Sequence, residues 1–109
     1  VKTAAGHEGV RAEVDHYWRV PRTPFDPEVV GIVEAAATEL GCGHRSILSG
    51  AGHDAQYMAA ICPTGMIFVP SRGGRSHCEE EFTGLDDIEH GANALLLACA
   101  RLAGAPLPP

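Results

Sequence analysis

The sequence predicts an α/β fold, and three patterns carry that prediction. Residues 10–20 alternate with a period of two, residues 65–69 form an unbroken apolar run, and two longer stretches repeat apolar residues at helical spacing. Read along the chain, the order is strand, helix, strand, helix, strand, helix.

The first strand, about 10–20, sets Val10, Ala12, Val14, His16, Trp18 and Val20 on one face. Arg11, Glu13, Asp15, Tyr17 and Arg19 fall on the other. One face is packed and one is wet. Pro21 and Pro24 end the run. Asp26-Pro27 then supplies an N-cap and a proline at the first helical position. Val29, Val30, Val33, Ala36, Ala37 and Leu40 form the apolar stripe of a helix at about 27–40, and Gly41 is its stop. Residues 46–49 read as a short strand, 50–52 (Gly-Ala-Gly) as a tight turn, and 53–61 as a short helix ended before Pro63. The run Gly65-Met-Ile-Phe-Val69 suits a strand covered on both faces. A loop rich in glycine and arginine follows at 71–76. Thr83 and Asp86 stand at the spacing of a capping box. Ile88, Ala92, Leu95, Leu96, Cys99 and Leu102 then give a final helix at about 85–103, with a Pro-rich tail at 105–109.

At 109 residues the chain is one domain or part of one. Three strands are too few for an ordinary open sheet, and the first residue is Val, so an incomplete piece is expected. Eight basic against fourteen acidic side chains give a formal charge of −6. That balance argues against nucleic acid or an anionic membrane as the main partner. The most apolar stretch, 92–107, is interrupted by Asn93 and Arg101, so no transmembrane span is predicted. Cys42, Cys62, Cys78 and Cys99 are 20, 16 and 21 residues apart and form no CxxC pair. They read as thiols in a reducing cytoplasm.

Of the six histidines, His16 lies on the apolar face of the first strand and reads as structural or at an interface. His7 and His44 sit in polar stretches, and His90 falls on a solvated helix face. His53 and His77 differ in their placement. His53 follows Ser49-Gly-Ala-Gly52 at a strand-to-helix turn, where glycines allow close approach to a ligand. His77 ends Gly74-Arg-Ser-His77, just beyond the apolar strand, with Glu79, Glu80 and Glu81 after it. Loops beyond the carboxyl ends of strands are where α/β sheets bind ligands. A histidine beside carboxylates suits a divalent cation. At least two of the three glutamates read as a solvated acidic turn.

Taken together, several motifs resemble one family: Ser49-Gly-Ala-Gly-His53-Asp-Ala, Met58-Ala, Pro63-Thr-Gly-Met-Ile-Phe-Val-Pro-Ser71, and Gly74-Arg-Ser-His77 with Glu81 four residues on. Pro24-Phe-Asp26 and Gly91-Ala92 also match. The family is the N-carbamoyl-L-amino-acid hydrolase, β-ureidopropionase and allantoate amidohydrolase group of the zinc aminoacylase and carboxypeptidase superfamily. Cys78-Glu-Glu80 departs from its usual small-polar and proline pattern.

The resemblance implies a piece of a two-domain metallo-aminopeptidase-like fold. Residues 1–40 would end the lid and dimerisation domain, the helix at 27–40 being either its last element or already part of the catalytic domain, and 41–104 would close the catalytic domain. It implies that His77 is a metal ligand, that His53 contacts substrate and polarises the scissile group, and that Gly52 helps shape the pocket. The cofactors would be two divalent ions, zinc or else manganese, nickel or cobalt, with one ligand in this chain. They would share and activate a water, an upstream carboxylate would take its proton, and His53 would stabilise charge on the carbonyl oxygen. Further expectations are a homodimer in the cytoplasm, a small N-carbamoyl or ureido substrate, and a site completed by the rest of the polypeptide or a complementing chain. The 109 residues alone would be inactive, since a catalytic zinc needs three protein ligands. Two other classes stand beside this one: an aminoacylase or dipeptidase, and a non-catalytic remnant serving as an interaction module.

Overall fold

The computed structural model describes residues 2–17 and 19–104. The elements are α1 (Lys2–His7), α2 (Pro27–Glu39), α3 (Ala55–Met58), a 3-10 turn (Arg72–Gly74) and α4 (Leu85–Leu102).

Helix α2 begins and ends where local chemistry dictates. The Asp26 carboxylate accepts the backbone N–H groups of Glu28 and Val29 at 2.9 and 3.0 Å, and Pro27 opens the helix. At the other end Gly41 has φ +68°. Its N–H reaches the Thr38 carbonyl at 3.0 Å, and the Cys42 N–H reaches that of Ala37 at 2.9 Å. This pair of bonds requires a left-handed residue, which glycine supplies. The short α1, which the sequence pattern did not suggest, closes in the same way. Gly9 at φ +65° lets Gly9 and Val10 donate to the carbonyls of Gly6 and Ala5. Six residues are too few to show a period.

Helix α4 starts one residue later than the capping box requires. Gly84 is the N-cap and makes no side-chain cap bond, so Thr83 stands outside the helix. Asp86 and Asp87 in the first turn oppose the positive end of the helix dipole instead. Helices α2 and α4 pack on one another, and their buried residues are all alanine: Ala36, Ala37, Ala94 and Ala98. An ion pair between Arg101 and Glu39 joins their last turns. The segment 65–69 lies against both helices. Val29 Cγ1 stands 2.9 Å from where a Cβ on Gly65 would be, and Val69 Cγ1 fills the place of a Cβ on Gly91. A larger residue at either position would force the facing valine to shift.

The predicted strands are not realised as paired strands among the described residues. A strand is a ladder between two segments, and 10–20, 46–49 and 65–69 find no partner in one another. Val10, Val14, Val20, Ile47 and Leu48 are exposed, as is His16, which was expected on a packed face. Trp18 and the tail 105–109 lie outside the described residues. The predicted helix at 53–61 is helical only over Ala55–Met58 and continues as turns to Cys62. Among the described residues no helix is long and apolar enough to cross a membrane.

Candidate active site

Three separate segments bring their rings together. His53 is half-buried and lies edge-on to Phe68, with ring centroids 5.6 Å apart at 71°. On another side it meets His77 at 6.4 Å and 69°. Two histidines 24 residues apart in sequence thus become neighbours across one small cluster.

The approach to His53 is built by the turn before it. The Ser49 hydroxyl accepts the Ala51 N–H at 3.2 Å and donates to the Ala51 carbonyl at 2.9 Å. After the turn, the His53 carbonyl accepts the Gln56 N–H at 3.0 Å, which starts the turn of α3. Around Gly50 a Cβ would meet nothing within 4 Å, and at Gly52 only the Gln56 amide at 3.8 Å. Packing among the described residues does not demand these glycines.

The His77 loop is tied back on itself. Its N–H donates to Glu81 Oε2 at 2.7 Å, and the Ser76 hydroxyl donates to Glu81 Oε1 at 3.5 Å. Arg72 caps the Phe82 ring at 4.2 Å, its N–H reaches the Phe82 carbonyl at 2.8 Å, and the Ser71 hydroxyl donates to the Arg75 carbonyl at 2.6 Å. Arg75 pairs with Glu80 at 3.3 Å. His77 is exposed and has φ +58°, a conformation uncommon for a residue with a Cβ. An open cleft of about 520 Å³ lies on the Arg72, Arg75, Glu80 and Phe82 side of the loop and is lined by neither histidine. The ring cluster, which joins two imidazoles and Phe68, is the more chemical of the two places.

Two of the carboxylates that follow His77 are engaged within their own loop. Glu81 is bonded to the backbone and hydroxyl of its own loop, and Glu80 to Arg75. Among the described residues no group of three or more His, Cys, Asp or Glu is gathered as a metal site. Three protein ligands are the usual minimum at a catalytic zinc. One exposed imidazole therefore fits as a single donor in a larger set, and these residues alone do not hold the ion. His44 is engaged elsewhere, with Nδ1 3.0 Å from the Cys42 carbonyl. Phe68 and Glu81 are the site neighbours that the reading of spacing did not assign. Glu81 stood within the motif, and Phe68 within the apolar run.

The family model for peptidase family M20/M25/M40 matches residues 3–101. The chain belongs to this family. A curated relative, the N-carbamoyl-L-amino-acid amidohydrolase of Paenarthrobacter aurescens, is 43% identical over 96 residues, 88% of this chain and 23% of that protein. The allantoate amidohydrolase of Bacillus subtilis is 41% identical over 88 residues, 81% of this chain and 21% of that protein. A solved amidase of the hydantoinase/carbamoylase family from Burkholderia multivorans superposes with a TM-score of 0.81 at 41% identity. It is matched over 96% of this chain and 26% of its own. The chain thus spans about a quarter of the length of these M20 relatives.

Proposed function

We propose that this chain supplies the last part of a metal-dependent amidohydrolase that cleaves linear C–N bonds in N-carbamoyl amino acids or allantoate-like ureido compounds. The observation that carries the reading is the meeting of His53 and His77 at 6.4 Å in a chain of this family. The relatives named for carbamoyl amino acids and allantoate support the substrate class.

In this reading His77 offers one imidazole nitrogen to a divalent ion, with the remaining ligands outside these residues. When bound, the ion supplies Lewis acidity toward a carbonyl and an activated water. Zinc, manganese, nickel and cobalt all suit such a donor. His53 donates a hydrogen bond to the substrate carbonyl oxygen and stabilises the negative charge that grows there. Phe68 holds the His53 ring by its edge-to-face contact, and Gly52 leaves room for the substrate. Residues 1–40 would close a lid and dimerisation domain and 41–104 a catalytic domain, in a cytoplasmic homodimer. The exposed apolar side chains of the described residues support completion by further polypeptide.

The test is an assay of the complete polypeptide on N-carbamoyl amino acids, allantoate, N-acetyl amino acids and dipeptides, before and after chelation. Chelator-sensitive release of ammonia from the first two supports the proposal. Turnover confined to the last two makes it an aminoacylase or dipeptidase, and no turnover with added metal favours the non-catalytic class.

A further inference from the structure

Glu81 has a peculiar engagement for an exposed acid. Both carboxylate oxygens face the two residues that end the His77 motif, Oε2 on the His77 N–H at 2.7 Å and Oε1 on the Ser76 hydroxyl at 3.5 Å. A bond from backbone N–H to an ionised carboxylate is among the stronger hydrogen bonds. The carboxylate is carried back to residue 77 by a turn in which the Glu81 N–H donates to the Cys78 carbonyl at 3.1 Å. Among the described residues His77 is the one non-glycine with positive φ, at +58°. Such a conformation persists only where surrounding groups over-determine it. The neighbouring acid does not do this, since Glu80 reaches out to Arg75.

We propose that Glu81 is a positioning residue for His77. By holding the His77 N–H it keeps that residue in the left-handed region, and so aims the imidazole toward His53. Released from the carboxylate, residue 77 relaxes toward an ordinary β or right-handed backbone, and its side chain leaves the chain in another direction. Glu81 acts through the backbone of His77 and touches neither ion nor substrate. The inference rests on the reading of His77 as a metal ligand.

The experiment measures zinc affinity of the complete polypeptide, stripped of metal, by competition with a chromophoric chelator. The variants are Glu81→Ala, Glu81→Met, Glu81→Gln and His77→Ala. Glutamine keeps an acceptor for the N–H, whereas methionine keeps the length without one. Glu81→Ala and Glu81→Met should weaken zinc about 10–100-fold, the scale for a lost supporting contact at a metal ligand. Glu81→Gln should return to within about threefold of the parent, since its amide oxygen still accepts the N–H, though in a weaker, uncharged bond. Should the alanine variant fail to fold, the methionine and glutamine pair makes the same comparison. Zinc affinity unchanged in Glu81→Met overturns the proposal. A glutamine variant as weak as the methionine one also overturns it, because a direct ligand would behave so. Unchanged affinity in His77→Ala overturns instead the ligand reading beneath it.

Discussion

The imidazole rings of His53 and His77 stand 6.4 Å apart and nearly perpendicular, at 69°. One comes from the turn before α3 and the other from the loop before α4, so neither helix alone creates the relationship. At that separation one small molecule can touch both rings, and the two need not share a role. His77 is exposed on a loop, and His53 is half-buried against Phe68.

That division predicts the behaviour of His53→Ala in the complete polypeptide. Metal content should stay near the parent value while kcat falls roughly 10²–10³-fold, the scale of one lost oxyanion donor. Metal analysis beside steady-state kinetics checks it. Loss of metal with the side chain contradicts the division, and unchanged kcat makes His53 structural.

The contact between Gly91 and Val69 predicts a compensating pair. Val69 Cγ1 occupies the space of a Cβ on Gly91, so Gly91→Ala overpacks the seam between α4 and segment 65–69. Overpacking costs about 1–3 kcal/mol, and the better helix propensity of alanine returns up to about 1 kcal/mol. Denaturant unfolding should show a net loss for Gly91→Ala. Adding it to Val69→Ala should cost less than adding it to the parent, by on the order of 1 kcal/mol. Strict additivity would contradict the contact.

The burial pattern predicts how the 109 residues behave by themselves. Among the described residues the buried apolar ones are five alanines, whereas Leu48, Ile61 and Leu85 are 75%, 78% and 81% exposed. The radius of gyration is 19.0 Å, against about 13 Å for a compact domain of this length. Expressed alone, the chain should bind a hydrophobic dye, melt without a sharp transition and release no ammonia from N-carbamoyl amino acids. A cooperative melt without dye binding would contradict this.

What could be read from the sequence was what the sequence controls locally. Asp26, Pro27 and Gly41 act within a few residues of themselves, and α2 starts and stops where they say. His53 was singled out by the glycine turn before it and His77 by its place beyond the apolar run beside glutamates, and the fold makes them neighbours. Strands were not legible in the same way. The alternation at 10–20 and the apolar run at 65–69 describe faces that want covering, and the ladder partner is a property of some other segment. The left-handed backbone of His77 was not legible in the residue type alone, and the carboxylate that accepts its N–H, Glu81, stands four residues later. Thr83 offered a cap, but Gly84 took the position, and the acids of the first turn serve the helix end without it.

The most direct test of the central claim is the metal content of the complete polypeptide carrying His77→Ala, with the parent and His53→Ala prepared alongside. The account predicts that His77→Ala loses bound metal and turnover together, while His53→Ala keeps its metal. Full parent metal content and unchanged turnover in His77→Ala would contradict it.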